Sequence, residues 1–358
     1  MSKVSIRLVF VFLLLICASL VYAGPPVFIL GLYGGPEIVS EDLLPAELQM
    51  QGKLEASFGW RGRVFEGGYF SIISQAAGTV MSGWTFEDQE FLQADMSLPA
   101  GPGRVDMSAG LYSSVLGTDE LPGFINPDWG LLYRLNLGSN KTEGRIEYSG
   151  YSLVEPNDLG DIIYQGARLA FSHSFSLRYN LSFSAGFGYE GWYETNLYSN
   201  DGSLTDENRE DFLVDGKIVF EGLAGYFTEW TVPVRCLWRN STSNTYLSTG
   251  IFIPDSNSRI QLSTAPEINF SPHRTLNIDL HTSIEHYAYL ERLAFDENGF
   301  QAAENLQITS FGGGFSLDWT INHRLYLVLR SDAGYTWSND PFETGWYCNV
   351  YGGVELSF

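Results

Sequence analysis

Apolar and polar residues alternate one by one along most of this chain. From residue 178 to 190 the odd positions are apolar and the even positions are polar or glycine. Residues 276–285 also alternate, with apolar residues or threonine at the even positions and polar residues at the odd ones. Successive side chains of a β-strand point to opposite faces, so this pattern predicts strands with one apolar and one polar face. The alternation recurs in residues 54–60, 131–137, 167–171, 230–238, 325–329 and 346–358. No apolar helix pattern follows residue 23, so the chain is predicted to be all-β.

The length of the alternating stretches distinguishes a membrane barrel from a soluble sandwich. Strands of soluble sheets typically have about five or six residues, whereas here alternation often continues for about ten or more, as in a tilted strand that crosses a bilayer. In lipid every backbone amide needs a partner, so a sheet spans the membrane only when it is closed. Aromatic residues also concentrate near strand ends, where interfacial girdles lie: Trp60, Trp129, Trp192, Tyr193, Tyr226, Trp230, Tyr287, Tyr289, Trp319, Tyr335, Trp337 and Trp346. We therefore expect a transmembrane antiparallel up-and-down β-barrel.

Strand number follows from the candidate segments. Seventeen segments alternate well enough to be strands, but bacterial single-chain barrels have an even number with both termini periplasmic. The weakest candidates lie in residues 27–34 and in the crowded stretch 211–270. We predict sixteen strands, with fourteen as the alternative. Residues 99–103, 138–141 and 321–324 are predicted periplasmic turns, and residues 118–128, 195–210 and 288–304 are predicted outer loops.

The first 23 residues are predicted to be an export signal rather than part of the fold. Lys3 and Arg7 precede an apolar stretch from Leu8 to Leu20, and small residues flank a cleavage site before Gly24. A retained membrane anchor is the alternative. No linker or repeat divides residues 24–358, which are predicted to form a single domain.

Composition excludes several classes of protein. Hydrophobic residues make up 44% of the chain, which is too many for a disordered protein, and the chain lacks the several apolar runs of a helical membrane protein. The formal net charge of -22 excludes a nucleic-acid partner, which needs a basic surface. The cysteines after the signal, Cys236 and Cys348, fall on apolar faces of strands that are not neighbours, so we expect two free thiols.

Charged residues on the polar faces would line the lumen of such a barrel. The predicted pore-lining residues are Lys53, Glu55, Arg134, Arg145, Glu147, Arg168, Arg178, Asp279, His281, Glu285, Arg324 and Arg330. They could form a charged constriction that sets selectivity, or pair across strands and stiffen the wall. The predicted acidic outer loops carry Asp201, Asp206, Glu207, Glu210, Asp211, Glu291, Asp296 and Glu297. These acids could concentrate cations at the mouth, or only keep the loops soluble.

The C-terminal residues carry a family resemblance. With the export signal and the amphipathic strands, Gly353-Val354-Glu355-Leu356-Ser357-Phe358 resembles the end of Gram-negative outer-membrane β-barrels, although Tyr351 stands where a polar residue is usual. In that class this segment is read by the barrel-assembly machinery. The resemblance implies Gly353, Leu356 and Phe358 as the assembly signal, an outer-membrane location and contact with membrane lipids. It leaves a homo-oligomer open.

Catalytic and metal-binding patterns are weak. His281 and Ser283 share a strand face, but the alternation points them inward, whereas lipid hydrolysis needs a nucleophile that faces the membrane. Asp296-Glu297-Asn298-Gly299 lacks the further ligand spacing of a calcium loop, and no phosphate loop, dinucleotide fingerprint or CxxC pair occurs. We expect neither an enzyme nor a cofactor or metal.

Three functions remain from the sequence. The first is a porin-like channel for passive diffusion of small hydrophilic solutes or ions, which favours cations because its mouth is acidic. The second is a carrier of hydrophobic compounds similar to the fatty-acid transporters, in which the apolar residues Val27-Phe28-Ile29-Leu30 would enter the lumen as a partial plug. The third is a closed structural or adhesive barrel.

Overall fold

The chain forms a closed antiparallel barrel of sixteen strands in a computed structural model. The structure describes residues 22–23, 27–41, 47–64, 67–81, 85–116, 124–138, 141–154, 161–246, 252–253 and 256–357. The strands are β1 Val27–Glu41, β2 Glu47–Val64, β3 Gly68–Met81, β4 Thr85–Ala100, β5 Gly103–Leu116, β6 Phe124–Asn136, β7 Thr142–Leu153, β8 Ile162–Ser174, β9 Tyr179–Tyr198, β10 Leu204–Leu223, β11 Thr228–Ser241, β12 Arg259–Thr264 with Glu267–His273, β13 Leu276–Phe295, β14 Gln301–Asn322, β15 Leu325–Ser338 and β16 Gly345–Ser357. The prediction of sixteen strands is confirmed.

Each strand pairs with its neighbours in sequence, and the first strand closes the cylinder against the last. Leu30 of β1 lies opposite Leu356 of β16 and, on its other side, Ala56 of β2. Strand β12 is in two pieces because Ala265 and Pro266 interrupt its pairing with β11, although the Pro266 carbonyl still accepts a bond from Thr282 N. Closure gives every wall strand two neighbours, as a membrane-spanning sheet requires.

The two ends of the barrel differ in the length of their connections. At the end that holds both strand termini, the β4–β5 and β14–β15 connections are tight turns, as predicted, and Gly101 has a φ of 58° in the first of them. Only glycine adopts such a φ without strain. At the opposite end most connections are longer, and the β11–β12 connection carries a two-stranded hairpin, Thr245–Tyr246 with Phe252–Ile253. By analogy with bacterial barrels, we call these ends inner and outer.

Several strand boundaries differ from the sequence prediction. The surplus candidate segment is 244–254, whose described strands Thr245–Tyr246 and Phe252–Ile253 form the outer hairpin and not a wall strand. Most of the predicted loops 195–210 and 288–304 is strand, because β9 and β10 meet at residues 199–203, and β13 and β14 at residues 296–300. Strand pairing therefore continues far beyond the membrane-crossing length, with register shifts after Gly191 in β9 and after Ala288 in β13. Of the predicted loop 118–128, residues 118–123 lie outside the described part, and residues 124–128 belong to β6.

The predicted plug is wrong. Residues Val27 to Leu30 belong to β1 and pair with β2 and β16, so they form part of the wall. Ile29 and Leu30 pair with both β2 and β16, and Val27 and Phe28 pair with β2.

Apolar side chains face outward along the wall. Leu32, Ile146, Leu169 and Phe187 each expose more than half of their surface, as expected of side chains whose solvent is lipid. A small buried cluster of Tyr289, Ala294 and Leu306 lies at the outer end of β13 and β14. Cys236 and Cys348 are free, as predicted. Within the described residues, no helix has the length and apolar character needed to cross a membrane.

Candidate functional site: the charged lumen wall

The inward face of the barrel carries most of the predicted pore-lining residues. Ten of them alternate with outward apolar neighbours: Lys53, Glu55, Arg134, Arg145, Glu147, Arg168, Asp279, His281, Glu285 and Arg330. Two predicted positions need correction. Arg178 lies in the turn before β9 and Arg324 lies in the turn before β15, so both are at the inner edge and outside the wall. The alternation reaches both residues because their carbonyls still accept bonds from the neighbouring strands, at Leu223 N and Ser357 N, while the chain already turns there.

Basic residues gather on one side of the lumen. Arg104 of β5 lies directly opposite Arg134 of β6, which in turn lies opposite Arg145 of β7. Sequence reasoning missed Arg104 and also missed Arg61 and Arg63 of β2. Arg61 and Arg63 have the same odd parity as Lys53 and Glu55 on that strand. This parity alone would have predicted that they face the lumen.

Acidic residues occupy the other side of the lumen, on β12 to β16. They are Glu267, Asp279, Glu285, Asp318, Asp332 and Glu355. Arg259 and Arg330 are their basic neighbours on these strands. Neutral side chains donate hydrogen bonds to several of the acidic residues. Asn269 and Asn277 donate to Asp279, and Gln261 donates to Glu285. Inward carboxylates also lie among the arginines of β2 to β8, for example Glu55, Asp106 and Glu147, so that side is mixed in charge whereas β12 to β16 is mainly acidic.

A cavity of about 800 Å³ lies against the basic side near the inner end. The Arg61 guanidinium carbon is 4.4 Å from the centre of the Tyr69 ring, and that of Arg104 is 5.5 Å away. Arg134 Nε donates to Asp106 Oδ2 at 2.5 Å. The arginines are thus held by cation–π and charged hydrogen-bond contacts, while the cavity beside them remains open.

Midway along the wall, one carboxylate ties together three strands. Asp215 of β10 accepts a bond from Arg168 of β8 at 2.8 Å, and Arg235 of β11 lies 3.6 Å away. The bridge to Arg168 crosses β9 above Gly186, where a Cβ would lie 2.4 Å from Asp215 Oδ1. Glycine at that position lets the side chains of β8 and β10 meet over the strand between them.

A buried ion-pair cluster lies toward the outer end, which we call the rim cluster: Glu190, Arg209, Asp211, Arg239 and Ser241. Asp211 is fully buried, and its Oδ2 accepts from Arg209 at 2.5 Å and from Arg239 at 2.9 Å. Ser241 Oγ also donates to Asp211, and Arg239 lies 3.2 Å from Glu190. The prediction that Asp211 is an exposed loop acid is therefore wrong, because β10 continues through this position and points it inward.

Of the remaining outer acids, Asp201, Asp296 and Glu297 lie in the tight turns that end the β9–β10 and β13–β14 hairpins. Asp206, Glu207, Glu210 and Glu291 lie on strands and are exposed. The Ser199 hydroxyl, followed by the backbone N–H and hydroxyl of Ser203, lowers the pKa of Asp201 to about 2. This carboxylate therefore keeps its charge in mildly acidic medium.

The histidine and serine considered for catalysis do not bond to each other. His281 Nε2 lies 2.8 Å from Asp332 Oδ1, a carboxylate on β15 that the sequence did not pair with it. Both side chains face the lumen. Among the described residues, no group of three or more His, Cys, Asp or Glu side chains could hold a metal ion.

Of the predicted assembly signal, Gly353 and Leu356 lie in β16, opposite Tyr33 and Leu30 of β1. Phe358 lies outside the described residues, as do residues 1–21 of the predicted export signal.

Comparisons with known proteins support the fold. No protein-family model matches the chain, and no curated protein matches it. Among solved structures, OccAB1 of Acinetobacter baumannii is 9% identical with a TM-score of 0.54, covering 93% of this chain and 97% of that one. CdiB of the same organism is 12% identical with a TM-score of 0.47, covering 92% and 60%. OccK2 of Pseudomonas aeruginosa is 10% identical with a TM-score of 0.45, covering 93% and 98%. The chain thus has the fold of a porin-like Gram-negative outer-membrane barrel.

Proposed function

We propose that this protein is an outer-membrane channel for the passive diffusion of small hydrophilic solutes or ions. The observation that carries the proposal is the exposure of the charged inward side chains. Lys53, Arg145 and Arg235 keep 36%, 46% and 40% of their side-chain surface accessible although they point into the barrel. A lumen filled by packed side chains would bury them, so this wall is wet and suits polar solutes.

Two further observations weigh against the alternatives. The carrier of hydrophobic compounds was expected to use Val27 to Leu30 as a plug, but these residues lie in β1 of the wall. A closed structural or adhesive barrel would need an occluded lumen, which the exposure of these charged side chains opposes. The proposal does not include catalysis.

We further propose that the channel favours cations. The net charge is -22, and exposed acids such as Asp201, Glu207 and Asp296 lie at the outer end. An electronegative mouth raises the local concentration of cations by focusing field lines into the opening. The arginines of the inner wall oppose this preference, but most of them are paired with carboxylates, as Arg134 and Arg168 are.

Location and partners follow from the same proposal. The fold and the terminal strand suit the outer membrane, with lipids around the apolar face and the barrel-assembly machinery contacting β16. Homo-oligomerisation stays open.

Reconstitution into planar lipid bilayers tests the function. We expect stepwise ion conductance, and under a KCl gradient a reversal potential of the sign set by potassium. Folded barrel that yields no conductance would refute the channel, whereas conductance with a chloride-determined reversal potential would refute only the cation preference.

A further inference from the structure

Three tyrosine rings on the inward face, those of Tyr347, Tyr164 and Tyr33, lie against glycines. Tyr347 of β16 faces Gly334 of β15 directly across the strand pair. A Cβ built on Gly334 would lie 2.4 Å from Tyr347 Cε1 and 2.8 Å from its Cζ. Side chains of a strand otherwise stand roughly perpendicular to the sheet. The ring of Tyr347 therefore occupies space that any other residue at position 334 would take.

The same arrangement occurs on the opposite part of the wall. Tyr164 of β8 covers Gly166 of its own strand and Gly188 of β9, which are paired with each other. A Cβ at Gly166 would lie 2.1 Å from Tyr164 Oη, and one at Gly188 would lie 2.7 Å from its Cε2. Both glycines are buried although they face the lumen, because the ring covers them. Tyr151 stacks on this ring at 5.1 Å.

A third ring lies at the seam where the barrel closes. Tyr33 of β1 lies opposite Gly353 of β16, and its ring covers Gly31. Its hydroxyl donates to Glu355 Oε1 at 2.7 Å, which holds the ring along the wall.

A glycine–aromatic pair of the same kind occurs on the lipid face, away from the pore. Trp230 of β11 lies opposite Gly222 of β10, and a Cβ there would lie 2.5 Å from the indole. Both residues have the parity of the outward apolar positions. Glycine–aromatic pairing thus stabilises the sheet on both faces, but only the inward pairs have a bearing on the free width of the lumen.

We propose that the lumenal glycines Gly166, Gly188 and Gly334 set the cross-section of the pore by letting Tyr164 and Tyr347 lie flat. The inference rests on the proposed channel function and extends it to the size limit for solutes. A methyl group at Gly334 displaces the Tyr347 ring from the wall toward the lumen. A methyl group at Gly166 or Gly188 displaces the Tyr164 ring together with Tyr151, which is stacked on it. The change adds no charge, so it narrows the path and leaves ion preference unaltered.

Single-channel conductance of alanine variants tests the proposal. We expect Gly334→Ala and Gly188→Ala each to lower conductance by roughly a fifth or more, because pore width limits flow. The matched control Gly222→Ala crowds an aromatic ring equally but on the lipid face, so it should conduct as the unaltered protein does. The double variant Gly334→Ala/Tyr347→Ala removes the displaced ring and should restore conductance.

Two outcomes would overturn the inference. One is unchanged conductance in both lumenal variants, and the other is an equal loss in Gly222→Ala, which would indicate a general distortion of the sheet. If the unaltered protein does not conduct, the channel function fails, and the crystal structure of Gly334→Ala then decides the inference by itself. The Tyr347 ring should lie in the lumen; a ring still on the wall contradicts the proposal.

Discussion

At the scale of single residues, the most constrained side chain is Asp211. It is fully buried, and it accepts bonds from two arginines and a serine that belong to β10 and β11. A buried charge is tolerated only when its partners replace water, so loss of one partner leaves the others uncompensated. The rim cluster therefore joins β9, β10 and β11 toward their outer ends.

Neutralising Asp211 should destabilise the barrel. We expect Asp211→Asn to lower the free energy of unfolding by about 3 kcal/mol, because Arg209 and Arg239 keep their charges in a buried site. Urea unfolding of the protein in lipid vesicles measures the change. Asp206→Asn removes an exposed charge from the same strand and should change stability by less than about 0.5 kcal/mol. Equal stability of the two variants would contradict the role given to the cluster.

Asp201 offers a test by titration. Hydroxyl and backbone donors favour its charged form, so its pKa is lowered to about 2. Because the pKa is lowered on folding, the stabilising contribution is present above the unfolded-state pKa and is lost as pH falls through about 2. Ser199→Ala removes the largest contribution and should raise the pKa toward the usual 3.8. NMR titration of the carboxyl carbon measures it, and an unchanged midpoint would show that Ser199 is not the cause.

At the scale of elements, β9 and β10 are among the longest strands and exceed the length that a membrane crossing needs. Strands β9 and β10 have 20 residues each, whereas a tilted strand needs only about 10 to cross the hydrocarbon core. Their outer halves continue to pair, and the β11–β12 connection packs on them through two bonds between Asn244 and the Tyr198 backbone. A strand-paired extension therefore carries several of the outer acids.

Cysteine labelling in whole cells tests this orientation. In a background with Cys236 and Cys348 replaced by serine, Asp206→Cys on the extension should react with a maleimide polymer too large to pass the lumen. Leu177→Cys lies in a fully exposed inner turn and should react only after lysis. The reverse pattern would place the acidic end in the periplasm.

At the scale of the whole molecule, charge is distributed unevenly around the lumen and along it. The inward residues of β12 to β16 are mainly acidic, those of β2 to β11 include both arginines and carboxylates, and exposed acids lie at the outer end. Pairs in contact act over a few ångströms, whereas the exposed acids act on solutes through water. Only the second kind of interaction is strongly screened by salt.

Cation preference should therefore depend on ionic strength. The Debye length falls from about 10 Å at 0.1 M to about 3 Å at 1 M salt, so the ratio of cation to anion permeability should approach that of the free ions in concentrated KCl. Reversal potentials at several mean concentrations, with a fixed gradient ratio, measure this. A ratio that does not change with concentration would assign selectivity to the paired residues of the inner wall.

The alternation of residues determined a large part of this fold. A period of two fixes which side chains point outward, and in lipid the sheet can satisfy its backbone only by closing. For this reason the sixteen strands, the tight turns near residues 99–103 and 321–324, and the inward position of Lys53 and Arg168 were readable from the chain.

The tertiary structure determined the side-chain partners, the strand ends and the width of the lumen, which the alternation of residues does not specify. Which residues become partners depends on the register of neighbouring strands, so the bridge from Arg168 to Asp215 and the bond between His281 and Asp332 could not be read from spacing. Strand ends also depend on contacts with other strands, which placed Asp211 in the wall and Arg178 in a turn. The free width of the lumen depends on how rings such as Tyr347 lie on glycines of a neighbouring strand, and that neighbour is chosen only when the barrel closes.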